Sequence, residues 1–301
     1  MAERARLPRL INVWQSEAGN GVNTFLAGKS RTSLRETSQD NLPFSILLTI
    51  LSRSVTISSM FKELMTSCMN LLYPKNCHIC SKILNSQTRA YDDYICWDCF
   101  WVMKKTPVVA CSLCGSLLKD DKELNTLKCR ACQQDSPPYQ RLLACYIYEG
   151  TTRELIHRFK YGNRPYLSKT IIRLMTDVLN PIYLREVDCL VPVPLHPVRQ
   201  REREYNQAEL ITEGLSRQFN KPFSLALRRI KNTESQVSLA KKERFLNLKG
   251  AFALAHPSFI EDKNVLVIDD VVTTTATANE ASRILKDAGA KSISVLAFAK
   301  G

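Results

Sequence analysis

Eight of the eleven cysteines in this 301-residue chain fall into four C-x-x-C pairs: Cys77/Cys80, Cys96/Cys99, Cys111/Cys114 and Cys129/Cys132. A C-x-x-C pair on a tight turn points two sulfurs at one centre, and two such pairs complete the tetrahedral thiolate cage that Zn²⁺ prefers. The first two pairs are separated by 15 residues and the last two by 14, the spacing of a zinc ribbon. Each half therefore reads as one four-cysteine site. A cross-braced pairing, first with third and second with fourth, is an alternative that the spacing alone leaves open. A disulfide framework is the weaker alternative, because the sequence has no secretory signal and a reducing compartment keeps thiols free. With thiolates at all four positions the metal would be structural, supplying the stability that a short polar segment at residues 70–135 lacks. His78, inside the first pair, is expected to line its site rather than replace a ligand.

A second constellation lies near the other end, in V-L-V-I-D-D-V-V-T-T-T-A-T, residues 265–277. Two adjacent carboxylates at a strand end, Asp269 and Asp270, suit the vicinal diol of a ribose. The residues after them, Thr273, Thr274, Thr275, Ala276 and Thr277, would open a helix whose free amides and positive dipole end favour a phosphate. A capped helix following a strand would carry the same residues without any ligand.

These groups need elements to hold them. Apolar runs at 142–148, 187–194, 263–270 and 293–299 read as strands. Residues 152–161, 167–179, 206–219 and 276–288 carry helical apolar spacing, and Gly289 is a helix stop. Strands alternating with helices predict an α/β domain over 141–301 with a mainly parallel sheet. Ligands in such sheets gather beyond the carboxyl ends of the strands, where Asp269 and Asp270 stand.

The totals set further bounds. The length allows roughly two domains. The formal charge of +13 fits either a solvated basic surface or a polyanionic partner such as nucleic acid. The apolar stretch 43–51 is too short to span a bilayer, so no transmembrane segment is expected. Residues 1–59 match no domain pattern and read as an extension, disordered or targeting (an organellar address included), with Met60 as an alternative start. The expected location is otherwise cytoplasmic.

Several segments taken together resemble one family. D-D-V-V-T-T-T-A-T is similar to the phosphoribosyl-pyrophosphate (PRPP) signature of type I phosphoribosyltransferases. L-L-Y-P-K-N-C-H-I-C, Y-E-G-T-T-R-E-L-I-H-R-F-K-Y-G, V-P-V-P-L-H-P, R-E-R-E-Y-N-Q-A-E-L, T-E-S-Q-V-S-L and K-K-E-R-F-L-N-L-K-G-A-F follow the order of the competence protein ComF family over residues 70–300. The resemblance implies a type I phosphoribosyltransferase-like fold preceded by a small double zinc ribbon with two four-cysteine sites. It implies that Asp269 and Asp270 hold the ribose hydroxyls, directly or through Mg²⁺, and that Thr273 to Thr277 cradle the 5-phosphate. The turn at Pro194 would approach the pyrophosphate, with Arg199, Arg201 and Arg203 to neutralise it. Asn206 and Gln207 would be polar contacts, and Gln236, Lys242 and Arg244 would belong to a closing segment. The implied setting is DNA uptake in natural competence, with single-stranded DNA and other competence proteins as partners.

Two positions depart from the family. Glu204 stands where the family has glycine in R-G-[FY]-N-Q, and Thr275 where it has glycine in T-T-G-A-T. If Thr275 had to adopt a left-handed conformation, the strain would be about 1–3 kcal/mol. Three functions are consistent with the sequence: a phosphoribosyltransferase, a non-catalytic single-stranded DNA-binding or partner-binding competence factor, and a degenerate PRPP or nucleotide sensor. The stretch Arg199 to Glu204 reads as a solvated, salt-bridged face. Trp101 and Tyr205 are isolated aromatics, so no stacking platform for a single strand is expected.

Overall fold

The computed structural model describes Phe61, Leu64, Met65, Ser67 and residues 74–85, 88–107, 109–232, 248–256 and 259–301. The extension 1–59 lies outside the described residues. Every element named below belongs to the compact unit Glu63–Gly301.

Its centre is a four-stranded sheet built from β1 (Arg141–Ile147), β2 (Cys189–Pro192), β5 (Asn264–Val272) and β6 (Ser292–Lys300). The order is β1-β6-β5-β2 and every pairing is parallel. Val265 to Ile268 on β5 and Val295 to Ala299 on β6 are buried without alternation, as expected of strands covered on both faces. The edges are flanked by irregular chain: Lys105 bridges Tyr146 antiparallel beside β1, and Phe223 bridges Leu190 beside β2. Covering an edge in this way shields its amides from pairing with another chain.

Helices α4 (Gly150–Tyr161), α5 (Leu167–Val178), α7 (Gln207–Phe219) and α8 (Ala276–Asp287) flank the sheet. On α5 the buried residues are Leu167, Thr170, Ile171, Leu174 and Met175, the stripe that helical periodicity predicts. Helix α7 lies so close to α5 that a Cβ on Gly214 would come within 2.0 Å of Ile172 Cδ1; the missing side chain sets that approach. A short hairpin, β3 (Leu227–Arg229) with β4 (Phe252–Leu254), stands outside the main sheet.

Sequence spacing does not reveal α6 (Pro197–Arg203). It falls on the stretch expected to be a solvated face. Pro197 occupies its first turn and His196 Nδ1 accepts from the Val198 amide at 3.3 Å. Proline at the first helical position loses only an amide that would be orphaned anyway.

The cysteine-rich segment carries α1 (Trp97–Trp101), α2 (Asp121–Thr126) and α3 (Arg130–Gln134). Cys77, Tyr91, Ile95, Cys96, Cys99 and Met103 share one continuous core with Tyr146, Phe159, Leu174 and Phe298. Cys111, Cys114 and Cys132 form a separate small core with Leu113 and Leu118.

Candidate functional site

The two four-cysteine groups assemble as sequential pairs, not cross-braced. The ligand sulfurs of Cys77, Cys80, Cys96 and Cys99 lie within 4.8 Å of one another, and those of Cys111, Cys114, Cys129 and Cys132 do the same. Cys77–Cys99 is 3.8 Å, Cys80–Cys96 3.7 Å and Cys114–Cys129 3.6 Å. A tetrahedron with Zn–S near 2.3 Å has sulfur edges of about 3.75 Å, so both cages fit Zn²⁺. The amides of Ile79 and Cys96 point at Cys77 Sγ, at 3.5 and 3.4 Å. Burial pushes the Cys77 thiol up, but hydrogen bonds from the Cys80, Cys96 and Ile79 backbone outweigh it and bring the group down to about 7. Cys111 reaches about 7 in the same way, through the Cys114, Cys129 and Leu113 backbone. His78 is not a ligand: its Nδ1 lies 3.1 Å from an Arg164 guanidinium nitrogen, and its ring packs against Tyr94 and Tyr166.

A second site opens where the carboxyl ends of β2 and β5 meet. A cavity of ≈ 220 Å³ there is lined by Asp269, Asp270, Thr273 and Thr277 from one side and by Pro194, Arg199, Arg203, Asn206 and Gln207 from the other. The strand end holds its carboxylates with its own amides. Asp269 Oδ1 accepts from Asp270 N at 2.8 Å, and Asp270 Oδ1 accepts from Val271 N at 2.6 Å. Burial, reinforced by the Asp270 charge, pushes the Asp269 carboxyl up to about 8, against the pull of Lys160.

Helical spacing explains which arginines take part. Arg199 and Arg203 are four apart on α6 and face the cavity, whereas Arg201 is exposed and does not line it. The Arg203 guanidinium reaches Gln207 Oε1 at 3.4 Å and the Tyr161 hydroxyl at 3.3 Å. Asn206 serves mainly as a cap. Its amide donates to Val193 O at 3.1 Å and its Oδ1 accepts from Ala208 N at 3.1 Å, fixing the start of α7 against the end of β2. Gln207 is 2% exposed, and its buried Nε2 meets no acceptor among the described residues. A buried donor without an acceptor costs about 1–3 kcal/mol, and a ligand oxygen in this cavity would remove that deficit.

The turn itself is divided. Thr274 and Thr275 face a groove of ≈ 730 Å³ against the second four-cysteine unit, with only Thr273 lining both spaces. Ala276 is buried beside Leu248 and Ala251. Thr275 is the N-cap of α8 with φ −75°, an ordinary conformation for any residue. The condition for strain at Thr275 is therefore not met, and of the two departures the left-handed residue is Glu204, the C-cap of α6, at φ 65°. Gln236, Lys242 and Arg244 lie outside the described residues.

Sequence reasoning missed Lys160 and Arg229. Lys160 Nζ sits 2.9 Å from Asp270 Oδ2, and both side chains are largely buried. Burial pulls the Lys160 ammonium down, but the Asp270 carboxylate more than offsets this and holds it above the ordinary lysine value. Arg229 is 8% exposed. Burial, with Arg199 nearby, lowers its guanidinium to about 10 despite the attraction of Asp269. Lys160 follows Ile156 by one helical turn, at the margin of the buried stripe of α4, and Arg229 shares the inward alternation of Leu227. Those two periodicities were the available signals.

Residues 206–301 match the phosphoribosyl transferase domain family. Competence protein F of Haemophilus influenzae is 32% identical over 212 residues, covering 68% of this chain and 90% of that protein. The chain belongs to the competence protein F family. Within that family, competence protein ComFC of Bacillus subtilis is 30% identical over 213 residues, 69% of this chain and 83% of its own length. The DNA utilization protein YhgH of Escherichia coli is 31% identical over 218 residues, 67% of this chain and 94% of its own. In this family member the matched transferase segment supplies α7, β5 and the turn at residues 273–277, while Lys160, Pro194, Arg199 and Arg203 precede it. No helix among the described residues is long and apolar enough to cross a membrane.

Proposed function

We propose that this chain binds PRPP in the cavity at the carboxyl ends of β2 and β5 and acts in competence or DNA utilization, as the names of its relatives indicate. The observation that carries the reading is the charge layout of that one cavity. Two carboxylates suited to a ribose diol face Lys160, Arg199, Arg203 and Arg229, beside a threonine turn that opens a helix. In this reading Asp269 and Asp270 hold the ribose hydroxyls and the start of α8 takes the 5-phosphate. The arginines of α6 stabilise the pyrophosphate as the bond from C1 to its oxygen breaks and an acceptor bonds to C1. Mg²⁺ fits the donor set through Asp269 and through the ligand's own phosphate oxygens, and when bound it would neutralise charge on the leaving group.

Calorimetric titration of PRPP with Mg²⁺ into the zinc-loaded protein tests this. Saturable binding, lost in Asp269→Asn/Asp270→Asn, is the expected result, and no binding would sink it. Binding without pyrophosphate release in the presence of any acceptor would leave the chain a sensor rather than a transferase.

One observation favours a second role. Trp101, 74% exposed, is not isolated: it stacks on Trp97 at 5.6 Å, with Phe100 edge-on at 5.3 Å. Such a platform suits single-stranded DNA. Tyr205 is no part of it, since its hydroxyl bonds the Phe159 carbonyl and accepts from Arg164 N. Single-strand affinity that falls steeply with salt and drops in Trp101→Ala is expected; affinity indifferent to both would remove this role.

A further inference from the structure

Lys160 comes from a helix outside the phosphoribosyl transferase match, yet it lines the cavity. Its ammonium pairs with Asp270 Oδ2 at 2.9 Å. Of the four oxygens on the two aspartates, three accept a bond from the chain itself: Asp269 Oδ1, Asp270 Oδ1 and Asp270 Oδ2. A divalent ion with octahedral demand would have to displace one of these or rely on the single remaining oxygen. Lys160, Arg199, Arg203 and Arg229 against Asp269 and Asp270 also leave the cavity with more cationic than anionic groups. It therefore does not need an added ion to attract an anion.

We infer that Lys160 is the resident cation of the ribose end of this site, so that the sugar-phosphate part of the ligand binds without a divalent metal. The inference rests on the PRPP reading and specifies which part of that ligand depends on metal. An ammonium carries three donors. One is held by Asp270, which leaves two for a ligand oxygen in the cavity that Lys160 lines. Divalent ion then matters only for ligands that carry pyrophosphate.

Ribose 5-phosphate, which lacks the pyrophosphate, separates the two parts. Calorimetry with the full zinc-loaded chain would compare its affinity in EGTA and in Mg²⁺, with zinc content checked in both buffers. Wild type is expected to bind equally, within about twofold, in either. Lys160→Met is expected to bind at least tenfold more weakly in EGTA and to recover part of that loss in Mg²⁺. Lys160→Gln, polar and neutral, serves as a second variant should the methionine fail to fold. The wild-type comparison stands without either. Wild-type binding that appears only with Mg²⁺, or folded variants that bind like wild type in EGTA, would overturn the role of Lys160 and leave the PRPP reading intact. No binding of ribose 5-phosphate in either buffer, together with no binding of PRPP, would overturn both.

Discussion

Tyr91 of the cysteine-rich segment donates its phenolic hydrogen to Asp177 Oδ2 on α5 at 2.6 Å, across 86 residues of sequence. The ring is held on three further sides: Phe100 stacks at 4.4 Å, Trp97 meets it edge-on at 5.5 Å, and the Arg173 guanidinium lies over its face at 4.5 Å. Burial, then the bond to Asp177, pushes the phenol pKa up, so it remains a donor throughout the working range. The first four-cysteine unit and the sheet-flanking helices thus share one core rather than meeting at a loose linker. Tyr91→Phe keeps the stacking and removes the hydrogen bond. A loss of about 1.5–3 kcal/mol is expected for a bond to a charged acceptor, read as a lower midpoint in denaturant with an unchanged slope. A change in slope would instead mean that the ribbon had detached.

That shared core makes the two cages unequal. Cys99 is part of the main core with Phe159 and Leu174, whereas Cys132 belongs to the small cluster with Leu113 and Leu118. Metal analysis should find about two zinc ions per chain. Cys99→Ser should lose one and lower the global unfolding temperature. Cys132→Ser should also lose one, but with hydrogen-exchange protection lost only around residues 111–134. Equal global destabilisation by the two variants would contradict the division.

Much of this was legible in the sequence because it is local. The C-x-x-C spacing announced the cages, and uninterrupted apolar runs announced strands buried on both faces. The carboxylates stood at a strand end by their position alone. Lys160 and Arg229 were not legible as site residues, because their place depends on how α4 and the β3–β4 hairpin pack around a sheet whose strands come from distant segments. The interleaved charges of α6 concealed a helix: Arg199 and Arg203 turn to the cavity while Arg201 turns to water, a difference that follows from helical phase and not from composition. The two missing glycines looked alike in sequence. They differ in backbone conformation, which only the surrounding structure decides.

That contrast gives a third test. Glu204 sits at φ 65° and ψ −18° after α6, where a glycine avoids the steric penalty that a Cβ brings, about 1–2 kcal/mol. Thr275 sits at φ −75°, where glycine only adds freedom to the unfolded chain, at about 0.5–1 kcal/mol. Glu204→Gly should therefore hold or raise the melting temperature, and Thr275→Gly should lower it. The reverse order would mean that the turn of α8, not the end of α6, carries the strain.

The Asp269 carboxyl supplies a pH test in the absence of ligand. Its folded pKa of about 8, raised first by burial and then by the neighbouring Asp270 charge, lies above the ordinary carboxylate value near 3.9. The native state therefore binds this proton more tightly than the unfolded state does. Its contribution is whole below the ordinary value, where both states are protonated, and is lost progressively as pH rises toward 8. Asp269→Asn replaces the titrating group with a neutral one of the same shape. Between pH 5 and pH 8 wild type should lose stability relative to Asp269→Asn, the two midpoints diverging steadily with pH. The comparison uses zinc-replete protein, so that both chains share every cysteine equilibrium and the difference isolates this group. Parallel curves across that range would mean that Lys160 already keeps Asp269 ionised at pH 5, and that the cavity carries its full pair of negative charges before any ligand arrives.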